Sequence, residues 1–313
     1  MELPPKLWFR LERLKNALRE ALGSKTQSYD TSHRMCPNCR ALIDRDASVC
    51  PLCGASVKRA RARGTSAAPE RFLGVIPIPS TATSVVVVAN LALYAIAWYM
   101  TASASAQLGA APSMGGVSGE VLLRLGAKSA HIFVGQWWRL VTAIFLHAGL
   151  LHVGFNLWCI FDLGPEVEAL FSTPKFIVLY LTTGVVGFLL SLWWSPFGLS
   201  VGASGAILGL IGILIGVSFH HGHLGKAYRG QLWRWVIYIF VFGLLSGLFG
   251  FGLDNAAHAG GLVSGLLLGY FVPEGEPQTR ASENFWNTLA VLSVIIIAGS
   301  FALMALQLSR PLR

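Results

Sequence analysis

Two sets of residues in this sequence have types and spacings that could do chemistry: paired cysteines near the start, and a few polar groups set inside long apolar runs. Cys36-Pro-Asn-Cys39 and Cys50-Pro-Leu-Cys53, the second followed by Gly54, are two Cys-x-x-Cys knuckles with ten residues between them. Four thiolates so spaced can close a tetrahedral site around Zn2+, and two such turns frame a zinc ribbon. With all four positions taken, the metal would be structural, and a domain this small would draw most of its folding free energy from it. Disulfides are the competing reading, and a reducing compartment argues against them. His33 could replace a thiolate but is not needed, and Cys159, amid Trp and Ile, reads as a buried small apolar residue.

The polar groups are Ser204 in Gly202-Ala203-Ser204-Gly205, His258 in Asp254-Asn255-Ala256-Ala257-His258, and the trio His147, His152 and Asn156. A hydroxyl and an imidazole within reach of one another make a nucleophile and its general base. Each also has a plainer reading. A serine between glycines marks close helix packing, and a lone histidine in a membrane helix can be a satisfied core group or a proton relay. His152 and Asn156 are four apart and share one helical face. Ser204 at a helix start adds a free backbone N–H and the positive end of the dipole. These donors together are of the kind that stabilise an oxyanion as charge develops on a carbonyl. His147 falls about 140° from His152 on a helical wheel and is expected to be structural, anchoring a loop. Asp254, four before His258, reads as a helix cap rather than a catalytic acid.

The elements that must carry these groups follow from composition. The 313 residues are 54% apolar and only 12% charged, with 34 Gly, 10 Trp and a mean hydropathy of +0.58. Soluble domains carry about 25% charged residues, so this is a polytopic membrane protein, neither disordered nor purely soluble. The net charge of +9 does not indicate nucleic acid, because residues 1–82 hold 14 of the 24 Lys and Arg against 7 of the 15 acids. Seven apolar runs follow, at about 83–101, 145–163, 176–194, 203–219, 236–251, 256–272 and 288–308, each near the ~20 residues that cross ~30 Å of hydrocarbon. Only Asp254 and Asn255 separate the fifth and sixth, and fusing them would need one helix far too long. Gly205, Gly209, Gly212 and Gly216 on the fourth, with Gly261, Gly265 and Gly269 on the sixth, offer small faces for close contact.

The first apolar run begins after eighty residues, so no cleavable leader is expected. Lys58, Arg59, Arg61, Arg63 and Arg71 precede it, and Lys226, Arg229 and Arg234 lie between the fourth and fifth runs. The positive-inside rule makes both segments cytoplasmic, against a mild conflict from Arg310 and Arg313 at the far end. The second, fourth and sixth runs then all begin at the outer face, which brings Ser204 and His258 into one leaflet. Residues 5–22 carry Leu7, Leu11, Leu14, Leu18 and Leu22 with basic residues between, a helix for the cytoplasmic lipid surface or for packing on the neighbouring domain. The 102–142 loop is rich in Val, Leu, Phe and Trp and should embed in the headgroup region or pack on the helices.

In this combination and order the motifs resemble those of the rhomboid intramembrane serine proteases. The likeness rests on Trp138-Arg139, the stretch from His147 through His152 to Asn156, Gly202-Ala203-Ser204-Gly205, and Ala257-His258 followed by Gly261 and Gly265. It covers about residues 83–272. The resemblance implies a six-helix core with an added seventh C-terminal helix, Ser204 as nucleophile and His258 as general base of a dyad, and His152, Asn156 and the Ser204 N–H as the oxyanion hole. Trp138, Arg139, His147, Gly202, Gly205, Gly261 and Gly265 would be structural. It implies cleavage of transmembrane protein substrates near their outer ends, where small or helix-breaking residues let the backbone unwind, with no cofactor for catalysis. The alternative is a rhomboid-like pseudoprotease that binds transmembrane helices without cleaving them. A transporter or channel is disfavoured, since internal repeats and interrupted helices are not evident. Two departures stand out: Leu208 where many members carry an aromatic beneath the histidine, and Gln136 where an acidic residue is common.

The expected organisation is an amphipathic N-terminal helix at 1–30, a zinc ribbon at 31–57, a basic linker at 58–82, the protease core at 83–272, and the seventh span with its tail at 273–313. The fold class is all-α polytopic, with the bilayer, transmembrane substrates and a possible cytoplasmic partner of the ribbon as partners, and no nucleic acid. The N-terminus is expected in the cytoplasm and the protein in the plasma membrane of a prokaryote.

Overall fold

The structure is a computed structural model, and it describes residues 33–35, 42–44, 47, 49–54, 71–72, 76–77, 80–108, 115–248 and 252–308. The helix expected at 5–22 and the ligand candidates Cys36 and Cys39 lie outside the described residues. The chain divides into two compact units, Met1–Pro77 and Ile78–Arg313.

In the first unit β1 (His33–Met35) pairs antiparallel with β2 (Leu42–Asp44), with His33 opposite Asp44. Ile43 and Cys50 pack together and are almost fully buried. The Gly54 N–H donates to the Cys50 carbonyl at 2.9 Å, closing a turn over residues 51–53. Within the stretch read as a linker, β3 (Arg71–Phe72) and β4 (Ile76–Pro77) form a short antiparallel pair.

The second unit is helical. Its described residues contain seven helices of fifteen residues or more: α1 (Thr81–Gln107), α4 (Leu150–Phe171), α5 (Thr173–Trp194), α6 (Ser204–Ser218), α7 (Gly222–Leu248), α8 (Asn255–Phe271) and α9 (Arg280–Leu308). Two short helices, α2 (Gly119–Arg124) and α3 (Arg139–Thr142), lie in the loop between α1 and α4. The helices α1, α5 and α9 are each long and apolar enough to cross a membrane. α7 and α8 are separate helices, with Asp254 capping α8 through a bond from the Ala257 N–H, 2.9 Å.

α6 occupies the centre. Its sequence is apolar on every side, the pattern of a helix with no solvated face, and every residue from Gly205 to Ser218 is buried. It packs most extensively on α8, then on α5. Glycines make the α6–α8 approach possible: a Cβ at Gly261 would overlap the Gly205 carbonyl, and one at Gly265 the Gly209 carbonyl. The α1–α4 loop is folded onto the helices. Leu122, Leu125 and Trp138 are buried with Ala97 and Met304, whereas Phe133, Val134 and Trp137 face outward.

Two boundaries differ from the sequence expectation. The second run was expected to be helical from Phe145, but α4 begins at Leu150. Phe145 closes a 3-10 turn, and Leu146 and Gly149 are extended, with Gly149 bridged to Gly116 and the Leu150 N–H donating to the Gly115 carbonyl at 2.9 Å. His147 therefore lies off the helix, and the wheel argument that turned it about 140° from His152 fails: the two rings meet edge to face at 5.0 Å. The fifth helix starts fourteen residues before the expected Val236, at Gly222, so Lys226, Arg229 and Arg234 ride on α7 rather than in a connecting loop. Arg229 is anchored there, 4.1 Å over the Phe219 ring and bonded to Ser218 Oγ at 3.2 Å.

Candidate active site

Ser204 is the first residue of α6, and His258 lies in the first turn of α8. Both helices start at the same end of the unit, and the glycine-lined contact between them sets the spacing of the two side chains. Ser204 Oγ lies 2.8 Å from His258 Nε2, and His258 is 2% exposed. That is hydrogen-bond distance for a hydroxyl donating to a neutral imidazole. His258 Nδ1 has no hydrogen-bond partner among the described residues. Asp254 is engaged elsewhere, accepting from the Ala257 N–H and from Ser191 Oγ, so it caps α8 instead of holding the ring.

A cavity of about 530 Å³ opens above the pair, with Ser204, His258, His152, Gly202, Lys128 and Asp254 in its lining. Gly202 has φ +130°, a conformation closed to ordinary side chains, and a Cβ there would stand 2.7 Å from His152 Nε2. The ring of His152 is thus pressed against the backbone just before Ser204. Asn156 is buried one turn further along α4 and donates through Nδ2 to the His152 carbonyl at 2.7 Å. That uses one of its two N–H groups; Oδ1 has no partner among the described residues, and the residue does not line the cavity.

The remaining motif residues build the frame. Arg139 is 1% exposed, with Nη1 donating to the Leu123 carbonyl (2.7 Å) and the Ala127 carbonyl (3.0 Å), and its guanidinium lies 4.9 Å over the Trp138 ring. Gln136 supplies the acceptor that an acidic residue would, taking the Arg139 Nε–H at 2.7 Å. Gly205 faces the Ala257 carbonyl at the start of α8.

Three contacts were not read from the sequence. Leu208 is buried one turn below Ser204, and the aromatic ring beside His258 comes instead from α7: Phe240 meets it edge to face at 6.1 Å. Ser191 on α5 braces the cap of α8. Lys128, in the loop before α3, is 1% exposed and donates to the Ser195 carbonyl (2.6 Å) and the Gly198 carbonyl (3.1 Å). Burial pulls its pKa below the usual lysine range, with the charge of Asp254 opposing that shift. None of the three has a local signature, because each depends on which loop or helix crosses another. In the first unit, Cys50 is buried and Cys53 exposed at the ends of their turn.

The Rhomboid domain family model matches residues 134–274, which takes in Ser204, His258, His152, Asn156 and Asp254 but not Lys128. The chain is 35% identical over 152 residues to the rhomboid protease GluP of Bacillus subtilis, covering 48% of this chain and 29% of that one. It is 34% identical to a second rhomboid protein of that bacterium, YdcA, over 44% of this chain and 67% of the relative. The rhomboid-like protease 3 of Toxoplasma gondii is 37% identical over 47% of this chain and 56% of its own. The matched region therefore spans between about a third and two thirds of these relatives.

Proposed function

The chain belongs to the rhomboid family of integral, multi-pass membrane proteins, and from that premise we propose that it is an intramembrane serine endopeptidase acting through a Ser204–His258 dyad. The observation that carries this is the 2.8 Å separation of Ser204 Oγ and His258 Nε2 at the floor of a cavity. His258 takes the hydroxyl proton as Ser204 attacks the scissile carbonyl. Negative charge builds on the carbonyl oxygen, where the Ser204 N–H and His152 are the donors facing the cavity, and the second N–H of Asn156, set back behind His152, is the third. One such donor is typically worth about 3 kcal/mol of transition-state stabilisation. His258 then passes its proton to the leaving amine, releasing the first fragment and leaving an ester on Ser204. A water activated by His258 hydrolyses that ester and restores the hydroxyl.

The substrates are transmembrane segments of other membrane proteins, cut near their outer ends where the helix unwinds to offer a carbonyl. The N-terminus lies in the cytoplasm, which sets the start of α6 at the outer leaflet, and the membrane is the plasma membrane of a prokaryote. The basic residues before α1 and along the first turns of α7 support this orientation.

Cys36, Cys39, Cys50 and Cys53 would hold a structural Zn2+, with no part in the reaction. The tight Cys50–Cys53 turn, closed by the Gly54 N–H with Gly54 at φ +67°, supports that fit, as does the β1–β2 hairpin flanking the first cysteine pair. The ribbon is a docking module for a cytoplasmic partner.

Purified protein in detergent, given a model transmembrane substrate, should cut it, and Ser204→Ala and His258→Ala should each abolish cutting. Undiminished cleavage by Ser204→Ala overturns the nucleophile; binding without cleavage by the wild type makes the chain a pseudoprotease.

A further inference from the structure

Resting on that reading of the dyad, we infer that Lys128 is a positioning residue: it clamps the α5–α6 loop that leads into Ser204 and so holds the oxyanion side of the cavity in register with the nucleophile. The loop, residues 195–203, has little regular structure, and its Leu199 and Phe197 side chains face outward. What fixes it is its attachment to the segment around Lys128. The Lys128 N–H donates to the Ser200 carbonyl at 3.0 Å and the Ser200 N–H returns to the Lys128 carbonyl at 3.1 Å, an isolated antiparallel bridge. The ammonium adds two more bonds, to the carbonyls of Ser195 and Gly198. One buried side chain thus gathers two loop carbonyls, and its backbone takes a third.

The loop resumes at Gly202, whose N–H donates to the Ala143 carbonyl at 2.9 Å and whose Cα side faces His152 Nε2. Displacing residues 195–200 would shift Gly202, and with it the gap between His152 and the Ser204 N–H. Such a displacement would act on the transition state more than on substrate capture, because the oxyanion exists only after attack. The positive charge is suited to the task. It makes strong bonds to carbonyl oxygens, and it lines the same cavity as Asp254, the cap of the helix that carries His258.

The test uses the full chain in detergent, as wild type, Lys128→Met and Lys128→Arg, with three readouts. Hydrogen exchange at residues 195–202 should rise at least tenfold in Lys128→Met and stay near wild type across α6 and α8. Covalent labelling of Ser204 by a fluorophosphonate should slow by about ten- to a hundredfold, and kcat on a cleavable substrate should fall similarly with KM within about twofold. Lys128→Arg, which keeps charged donors, should recover a large part of each. Unchanged exchange in the loop overturns the clamp. Exchange raised throughout α6 and α8, or a loss confined to KM, overturns the positioning role and leaves a general stabilising one. Should wild-type protein neither label nor cleave while Lys128→Met still loosens the loop selectively, the clamp stands and the peptidase reading fails.

Discussion

Gln136 shows how a departure from a family pattern can leave the physics intact. The Arg139 guanidinium is buried and needs acceptors for its N–H groups, and a neutral amide oxygen at 2.7 Å serves. Replacing it by a carboxylate would turn this bond into a charge-assisted one. Gln136→Glu is therefore expected to raise stability by about 1 kcal/mol, and Gln136→Leu, which strands the Nε–H, to lower it by about 1–3 kcal/mol, both read from thermal unfolding in detergent. At the same scale Phe240 stands beside His258 where Leu208 offers no ring, so the aromatic neighbour of the imidazole is supplied from another helix. Ser204, His258, His152 and Asn156 were legible in the sequence because polar groups inside apolar runs are few and costly. Phe240 and Lys128 were not: a Phe among apolar residues and a Lys in a loop look the same whether or not they touch a site.

The interlock of α6 with α8 makes an equally specific demand. Gly261 and Gly265 sit where any Cβ would overlap a main-chain oxygen of α6, so a side chain there cannot be absorbed by changing a rotamer and the helices must part. Gly261→Val is expected to cost about 3 kcal/mol or more and to abolish labelling of Ser204, since the Ser204–His258 pair spans this very contact. Gly230→Ala on α7 has open space around it and should be neutral or stabilising by up to ~1 kcal/mol, a control for glycine loss as such. Unfolding midpoints of the two variants side by side decide the matter. The small-residue face was readable from spacing. The ends of α4 and α7 were not, because apolarity marks where a chain can lie in lipid, whereas a helix ends where its backbone bonds go elsewhere. At Gly149 they go to Gly115 and Gly116, whereas from Gly222 the helix runs on through three basic residues.

Across the whole molecule the sequence separates a charged beginning from an apolar remainder, and the chain divides at residue 77, close to where the charge runs out. Among the described residues seven long helices follow in the order of the seven apolar runs. The two units have different sources of stability. The second is held by packing of apolar helices, and on the proposal above the first would be held by a metal on its four thiolates. Metal analysis of the full chain should return one zinc, and Cys36→Ser with Cys53→Ser should return none. Chelation should unfold the first unit while leaving Ser204 labelling in the second, because folding of the proposed ribbon would be metal-linked and helix packing is not. Zinc-free wild-type protein would dismiss the ribbon.

The length of α6 carries one more consequence. In the proposed orientation, with its far end at the cytoplasmic lipid boundary, its fifteen residues make a rod of about 22 Å against ~30 Å of hydrocarbon, leaving ~8 Å, or about five residues of an incoming helix, between the outer lipid boundary and the serine. The rod acts as a ruler whose zero is the bilayer edge rather than any sequence in the substrate. On the proposed activity, reconstitution in lipids with longer acyl chains should move the cut towards the middle of the same substrate, and mass spectrometry of the fragments would count the shift residue by residue.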